Sequence, residues 1–371
     1  MEQRLFSRAL GYLEKLVSIP SVSGDEREIS LYLADVLSKL GLKVELQPVG
    51  KRYNVVARTE STQQQAAILL TGHTDTVPVV DGWTKKPFAP ERIGDRLFGL
   101  GAADQKAGIA AQLAALSLLC DEGTLSARNI LVAFTPDEEA LSLGMLAFLE
   151  KEPRARLAIL SEPHFSPATI GWPGKILVRV EVHGKAAHGG RPQQGVNAIE
   201  EASRFLVALG TARVAEHPHL GTHPFVTLSI QGGYERYSLT VPARCDITLS
   251  KQLVPGETKE SVLRLVSEAA MAAKHARVEN RLDRPYYPPA EVHPDHPEIR
   301  WFAGVFEKVT QKRLSLGYGR GVCDADYLVS AGIPTISFGP SGGNTHQPDE
   351  WVSLDELLVC SRVYYEACKQ T

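Results

Sequence analysis

A chain of 371 residues exceeds one small core and suits two domains, and a formal net charge of −3 gives no electrostatic reason to bind nucleic acid or an anionic membrane. With 43% apolar and 22% charged residues the composition is that of a soluble globular protein. The longest weakly polar run, Gly108 to Cys120, is too short for a bilayer, and the charged stretch Met1 to Leu10 does not read as a secretory leader. Cys120, Cys245, Cys323, Cys360 and Cys368 form no Cys-x-x-Cys pair, so they read as reduced thiols of a cytoplasmic protein.

In chain order, an amphipathic helix is expected over 3–17. Ser23 and Glu26 carry the spacing of a capping box before a second helix, whose stripe is Ile29, Leu33, Val36, Leu37 and Leu40. Strands follow at 43–48, 53–58 and 66–70, then a loop over 81–98. Gly99 to Gly108 leads into an alanine-rich helix that ends near Leu119. Two more strands, 130–134 and 158–160, end in acidic residues. From about Lys175 the pattern changes to a half-exposed alternation over 176–182. A helix (197–209), strands at 225–230 and 245–253, and a helix (259–274) complete an α+β module. Helices over 298–310, from about 324 and over 353–369 alternate with a strand at 335–338. The simplest architecture is an α/β domain made of 1–174 and 284–371, with a second domain, 175–283, inserted in its middle.

The stretch Ala66 to Leu70 is apolar throughout and delivers His73 and Asp75 beyond its end. Ligands of open α/β sheets bind at that carboxyl edge. Residues two apart on an extended chain point the same way, which suits an imidazole ligand steadied by a carboxylate. Asp104, Glu138-Glu139, Glu162 and His346 follow other strand ends or loops. Each carboxylate alone could be a helix N-terminal acid; together with two histidines they make a site for two metals.

These segments resemble the superfamily of dinuclear zinc amide hydrolases that includes acetylornithine deacetylase, succinyl-diaminopimelate desuccinylase, aminoacylase and glutamate carboxypeptidase. The carriers are His73-Thr74-Asp75, Gly101-Ala102-Ala103-Asp104-Gln105-Lys106, Asp137-Glu138-Glu139, Ser161-Glu162-Pro163, Gly184-Lys185-Ala186-Ala187-His188 and Asn344-Thr345-His346. The resemblance implies a phosphorylase/hydrolase-like mixed sheet flanked by helices, with an inserted lid and dimerisation domain that makes a homodimer. It implies that Asp104 bridges two zinc ions, with His73 and Glu162 on one and Glu139 and His346 on the other, cobalt and manganese being alternatives. The two metals, roughly 3.5–4 Å apart, share a water that attacks an amide, with Glu138 as general base. Asp75 orients His73, and His188 donates to the oxyanion.

Glu162, where aminopeptidase relatives tend to carry Asp, points to an N-acyl amino acid or short peptide as substrate. The alternatives are a dipeptidase or aminopeptidase of the same superfamily, or a non-catalytic binding protein. Relatives usually bind the substrate carboxylate with an Asn and an Arg where this chain has Leu239 and Gln252. Arg236, Arg244, Lys251 and Arg320 are candidates to replace them. His164 is a weaker candidate ligand; His217, His219 and His223 read as a loop cluster, and Cys323 as a buried thiol.

Overall fold

The computed structural model describes residues 1–62, 64–236 and 238–371. The chain forms two compact units. One comprises Met1–Gly171, Glu291–Tyr318 and Cys323–Thr371; the other comprises Trp172–Ala290 and Gly319–Val322. All five cysteines are free. Among the described residues no helix is long and apolar enough to cross a membrane.

The first unit is built on a mixed sheet flanked by helices. Its strand order is Lys43–Val49, Arg52–Arg58, Ile130–Thr135, Ala66–His73, Ala155–Leu160, Thr335–Ser337 and Ala168–Trp172. The central strands run parallel; Arg52–Arg58 pairs antiparallel with both its neighbours, and Ala168–Trp172 pairs antiparallel with Thr335–Ser337. Every residue of Ile130–Thr135 is buried, as befits a strand covered on both faces. The Ala107–Asp121 helix is buried along nearly its whole length and packs against Glu2–Ser18 and Leu354–Lys369. Its composition of alanine and leucine follows, since no face meets solvent. Gly108 lets it approach the sheet: a Cβ there would lie 2.1 Å from the Ser161 carbonyl oxygen.

Several local expectations are corrected. The second helix, Arg27–Lys39, begins one residue beyond Glu26 and has no side-chain cap. Ser23 donates instead to Asp75 Oδ2 at 2.7 Å, and Glu26 accepts from Gly24 N, so the capping box does not form. A buried carboxylate outcompetes a helix end for that hydroxyl. The loop over 81–98 carries two short strands, Glu91–Ile93 and Arg96–Phe98, which join Trp351–Ser353 and Gly342–Gly343 in a small sheet.

The second unit is a four-stranded antiparallel sheet in the order Val226–Gly232, Arg244–Leu253, Gly174–His183, Arg277–Tyr287. Helices Ala198–Gly210 and Lys259–Ala270 bury Ile176, Val178, Val180, Val182, Ile247 and Leu249 on its inner face. Asn197 caps the first helix by accepting from Ile199 N and Glu200 N, and Thr258 with Ser261 closes a capping box on the second.

Candidate active site

Three neighbouring parallel strands of the first unit end at one place. Ala66–His73 lies between Ile130–Thr135 and Ala155–Leu160, with His73 opposite Thr135 and Thr71 opposite Leu160. The sheet register therefore brings His73, the turn Asp137-Glu138-Glu139 and Glu162 to one level at the carboxyl edge. Asp104 arrives from the widened turn Ala102–Lys106, which opens on left-handed Gly101 (φ 76°). His346 lies in the loop after the Thr335–Ser337 strand.

His73 is 1% exposed. Its Nε2 lies 3.0 Å from Asp104 Oδ1 and 3.8 Å from Glu162 Oε1. His346 Nε2 lies 2.8 Å from Glu139 Oε1 and 3.5 Å from Asp104 Oδ2. Asp104 thus presents one oxygen to each histidine. Two trios result, His73/Asp104/Glu162 and Asp104/Glu139/His346, each with its donor atoms within 4.8 Å of one another. Tetrahedral bonds of about 2.0–2.1 Å separate ligand atoms by about 3.3 Å. The observed separations fall on both sides of that figure, so the residues present fit two small divalent cations. Glu138 stands outside both trios, with Oε2 4.0 Å from His73 Nε2, and forms an overlapping group with His73 and Glu139.

The electrostatics are those of crowded acids around two imidazoles. Burial, and then Glu162, Asp324 and Glu139 against the opposing pull of His73, pushes the Glu138 carboxyl well above its ordinary range. Burial and Asp104 do the same to Glu162. Burial works against the charged form of Asp104, yet hydrogen bonds to His346 and His73 hold its carboxyl low. Burial likewise opposes a charge on His73, but Asp104 and Asp75 raise it well above normal. Asp104 and Glu139 lift the His346 imidazole to about 10. So large a store of buried negative charge is suited to cations.

Asp75 does more than its expected task. His73 Nδ1 is 3.0 Å from the Asp75 backbone oxygen and 3.5 Å from its Oδ1. The carboxylate also accepts from Glu138 N at 3.0 Å and Glu139 N at 3.1 Å. One buried side chain therefore holds both the histidine and the acidic turn. Gln105 donates to Glu162 Oε1 and accepts from Ser161 Oγ, which orients that carboxylate. Asp324, 1% exposed, accepts from Thr135 Oγ1 at 3.1 Å and adds negative charge behind Glu138. The hold of Asp75 on both amides and the place of Asp324 behind Glu138 had no local signal in the sequence. His164 is turned to Ser337 Oγ at 2.7 Å and belongs to neither trio.

The other candidates belong to the second unit. His188 is exposed, and its Nδ1 accepts from Gly190 N at 3.1 Å. Arg244 is exposed but paired with Asp246 at 2.8 Å and Glu181 at 3.0 Å. Lys251 is corrected: it is 1% exposed, faces the helices, and its Nζ is 2.7 Å from Glu257 Oε2. A buried ammonium already matched to a carboxylate is not a clamp for substrate. Arg320 is exposed, and among the described residues its guanidinium has no ion-pair partner. Its backbone oxygen accepts from Gln252 Nε2 at 3.0 Å.

Residues 69–370 match the family model of peptidase family M20/M25/M40. An acetylornithine deacetylase of Salmonella paratyphi B is 32% identical over 359 residues, covering 91% of each chain. Among solved structures, aminopeptidase PepT from Bacillus cereus superposes with a TM-score of 0.81 at 21% identity, covering 98% of each chain. The Bacillus subtilis YXEP protein, a dinuclear metal binding peptidase from the M20 family, gives 0.73 at 16% identity, covering 99% of this chain and 98% of its own. Those two likenesses bear on the fold; the family match and the 32% relative bear on the chemistry. The chain belongs to peptidase family M20/M25/M40, a metal-dependent family, and is an amide-bond hydrolase.

Proposed function

We propose that this protein hydrolyses the amide of an N-acyl amino acid or a short peptide with a free carboxylate, as a deacylase or carboxypeptidase. The observation that carries the reading is the pair of trios sharing Asp104, with Glu138 beside them and outside both. Two divalent cations, zinc in this reading, would supply a polarised water and a Lewis acid for the scissile carbonyl. His73, Asp104 and Glu162 would hold one, and Asp104, Glu139 and His346 would hold the other. Glu138 removes the water proton as the C–O bond forms, then delivers it to the amide nitrogen as the C–N bond breaks. The products are a carboxylic acid and a free amine. Asp75 keeps His73 and the Glu138-Glu139 turn in place. His188 donates to the oxyanion of the tetrahedral intermediate.

Arg320 binds the substrate carboxylate in this proposal. Gln252, which stands where relatives usually carry an Arg, supports it by tethering the Arg320 backbone. Arg320→Ala is expected to raise KM for a carboxylate substrate by about 10–100-fold, the range of one hydrogen bond to a charged group, with a smaller change in kcat. An unchanged KM would remove Arg320 from the site.

The protein acts as a cytoplasmic homodimer in this proposal, joined through the second unit. Its sheet ends at the Val226–Gly232 strand, where Val226, Leu228 and Ile230 are exposed. The defining experiment is hydrolysis of N-acetyl and N-succinyl amino acids, free dipeptides, and versions blocked at either end, by zinc- or cobalt-reconstituted protein. A requirement for a free carboxylate but no free amine is expected. A requirement for the amine would replace this reading with an aminopeptidase or dipeptidase.

A further inference from the structure

We propose that Glu350 is a positioning residue that sets the affinity of the centre for both cations by fixing the backbone of Asp104; this rests on the reading of Asp104 as their shared ligand. Glu350 is 1% exposed. Its Oε2 accepts from Gly101 N at 2.9 Å, and its Oε1 accepts from Ala103 N at 2.9 Å and Asp104 N at 3.0 Å. Its own carbonyl oxygen accepts from Gly99 N at 3.0 Å. One residue thus takes four amide donors from the six-residue stretch that presents Asp104.

Those amides need an outside partner. They open a helical turn, where the first N–H groups have no acceptor within the turn. Asp104 (φ −113°, ψ 94°) and Gln105 (φ −131°, ψ 34°) leave helical geometry inside that turn, so its own ladder does not fix them. Converging N–H groups of this kind cradle an anion, and here the anion is a side chain of the same protein. The buried Lys106, at the end of that turn, donates its Nζ to Ile19 O at 3.0 Å.

The anchor is itself anchored. Asp349 accepts from Thr84 N at 3.0 Å, Lys85 N at 3.1 Å and Thr84 Oγ1 at 2.6 Å. Trp351–Ser353 pairs with Arg96–Phe98. His346 lies four residues before Glu350, so a single segment carries one histidine of the centre and steadies the carboxylate between both histidines. A change at Glu350 therefore reaches Asp104 without removing a cation contact.

The test is metal affinity, measured by chelator competition on zinc-loaded wild type, Glu350→Gln and Glu350→Asp, at a temperature where thermal melts show all three folded. Glu350→Gln puts an amide donor where one oxygen accepts, and Glu350→Asp keeps the charge but shortens the reach. Zinc binding weaker by about 10–100-fold for both equivalents is expected in Glu350→Gln, as for other outer partners of metal ligands, with a smaller loss in Glu350→Asp. Should Glu350→Gln fail to fold, the same comparison is read on Glu350→Asp. Folded variants that hold two zinc ions as tightly as wild type would overturn the inference and leave the proposed hydrolysis standing. A wild type that takes up no pair of ions would overturn both.

Discussion

Replacing Glu138 by Gln is expected to lower kcat by about 10²–10⁴-fold while two divalent ions remain bound. The substitution keeps the shape of the side chain and removes its capacity to accept a proton. Asp75 holds the Glu138 and Glu139 amides, so the backbone of the turn has no reason to move. Both trios are complete without Glu138, which is why metal content should persist. Turnover and metal stoichiometry are to be measured on the same preparation. Near-full turnover in the metal-loaded variant would rule out Glu138 as the base; loss of an ion would make it a ligand.

The second large effect is expected at Asp104. Asp104→Asn should drop the bound metal from two ions to one or none, and lower kcat at least about 100-fold, the upper range for groups that only support a ligand. The reason is geometric: its two oxygens face His73 Nε2 and His346 Nε2 separately. An amide offers one acceptor oxygen and no charge. An independent readout exists in the metal-free protein. Asp104 and Glu139 together lift His346 to about 10. Removing the Asp104 charge should therefore lower the His346 pKa, which its imidazole resonances would report in a pH titration. An unmoved His346 with two ions still bound would refute the shared-ligand assignment.

The proposed ligands were legible because each follows the end of a strand or a short loop, and an apolar strand running into acidic or imidazole residues is a local pattern. What held them was not. Glu350 meets its partners across the length of the chain, and an acid in a loop carries no mark of that distance. Ser23 and Glu26 had the right spacing for a cap, but Asp75, buried and charged, was the stronger acceptor. The Arg277–Tyr287 strand was not expected at all, because charged residues crowd it and Pro285 interrupts it. The burial of Lys251 follows a rule visible in the sequence. Cys245, Ile247, Leu249, Lys251 and Leu253 share one parity along the Arg244–Leu253 strand, and that parity faces the helices. A lysine in such a row needs a buried carboxylate, which Glu257 provides.

The interrupted first unit has a consequence for a chain emerging from the ribosome. His73, Asp104, Glu138, Glu139 and Glu162 all precede the second unit, whereas His346 and Glu350 follow it. On the proposed ligand assignment, the early segment offers only the His73 half of the centre during synthesis, with Asp104 still without its contacts to Glu350. Hydrolytic competence then waits until the chain has been made past Glu350.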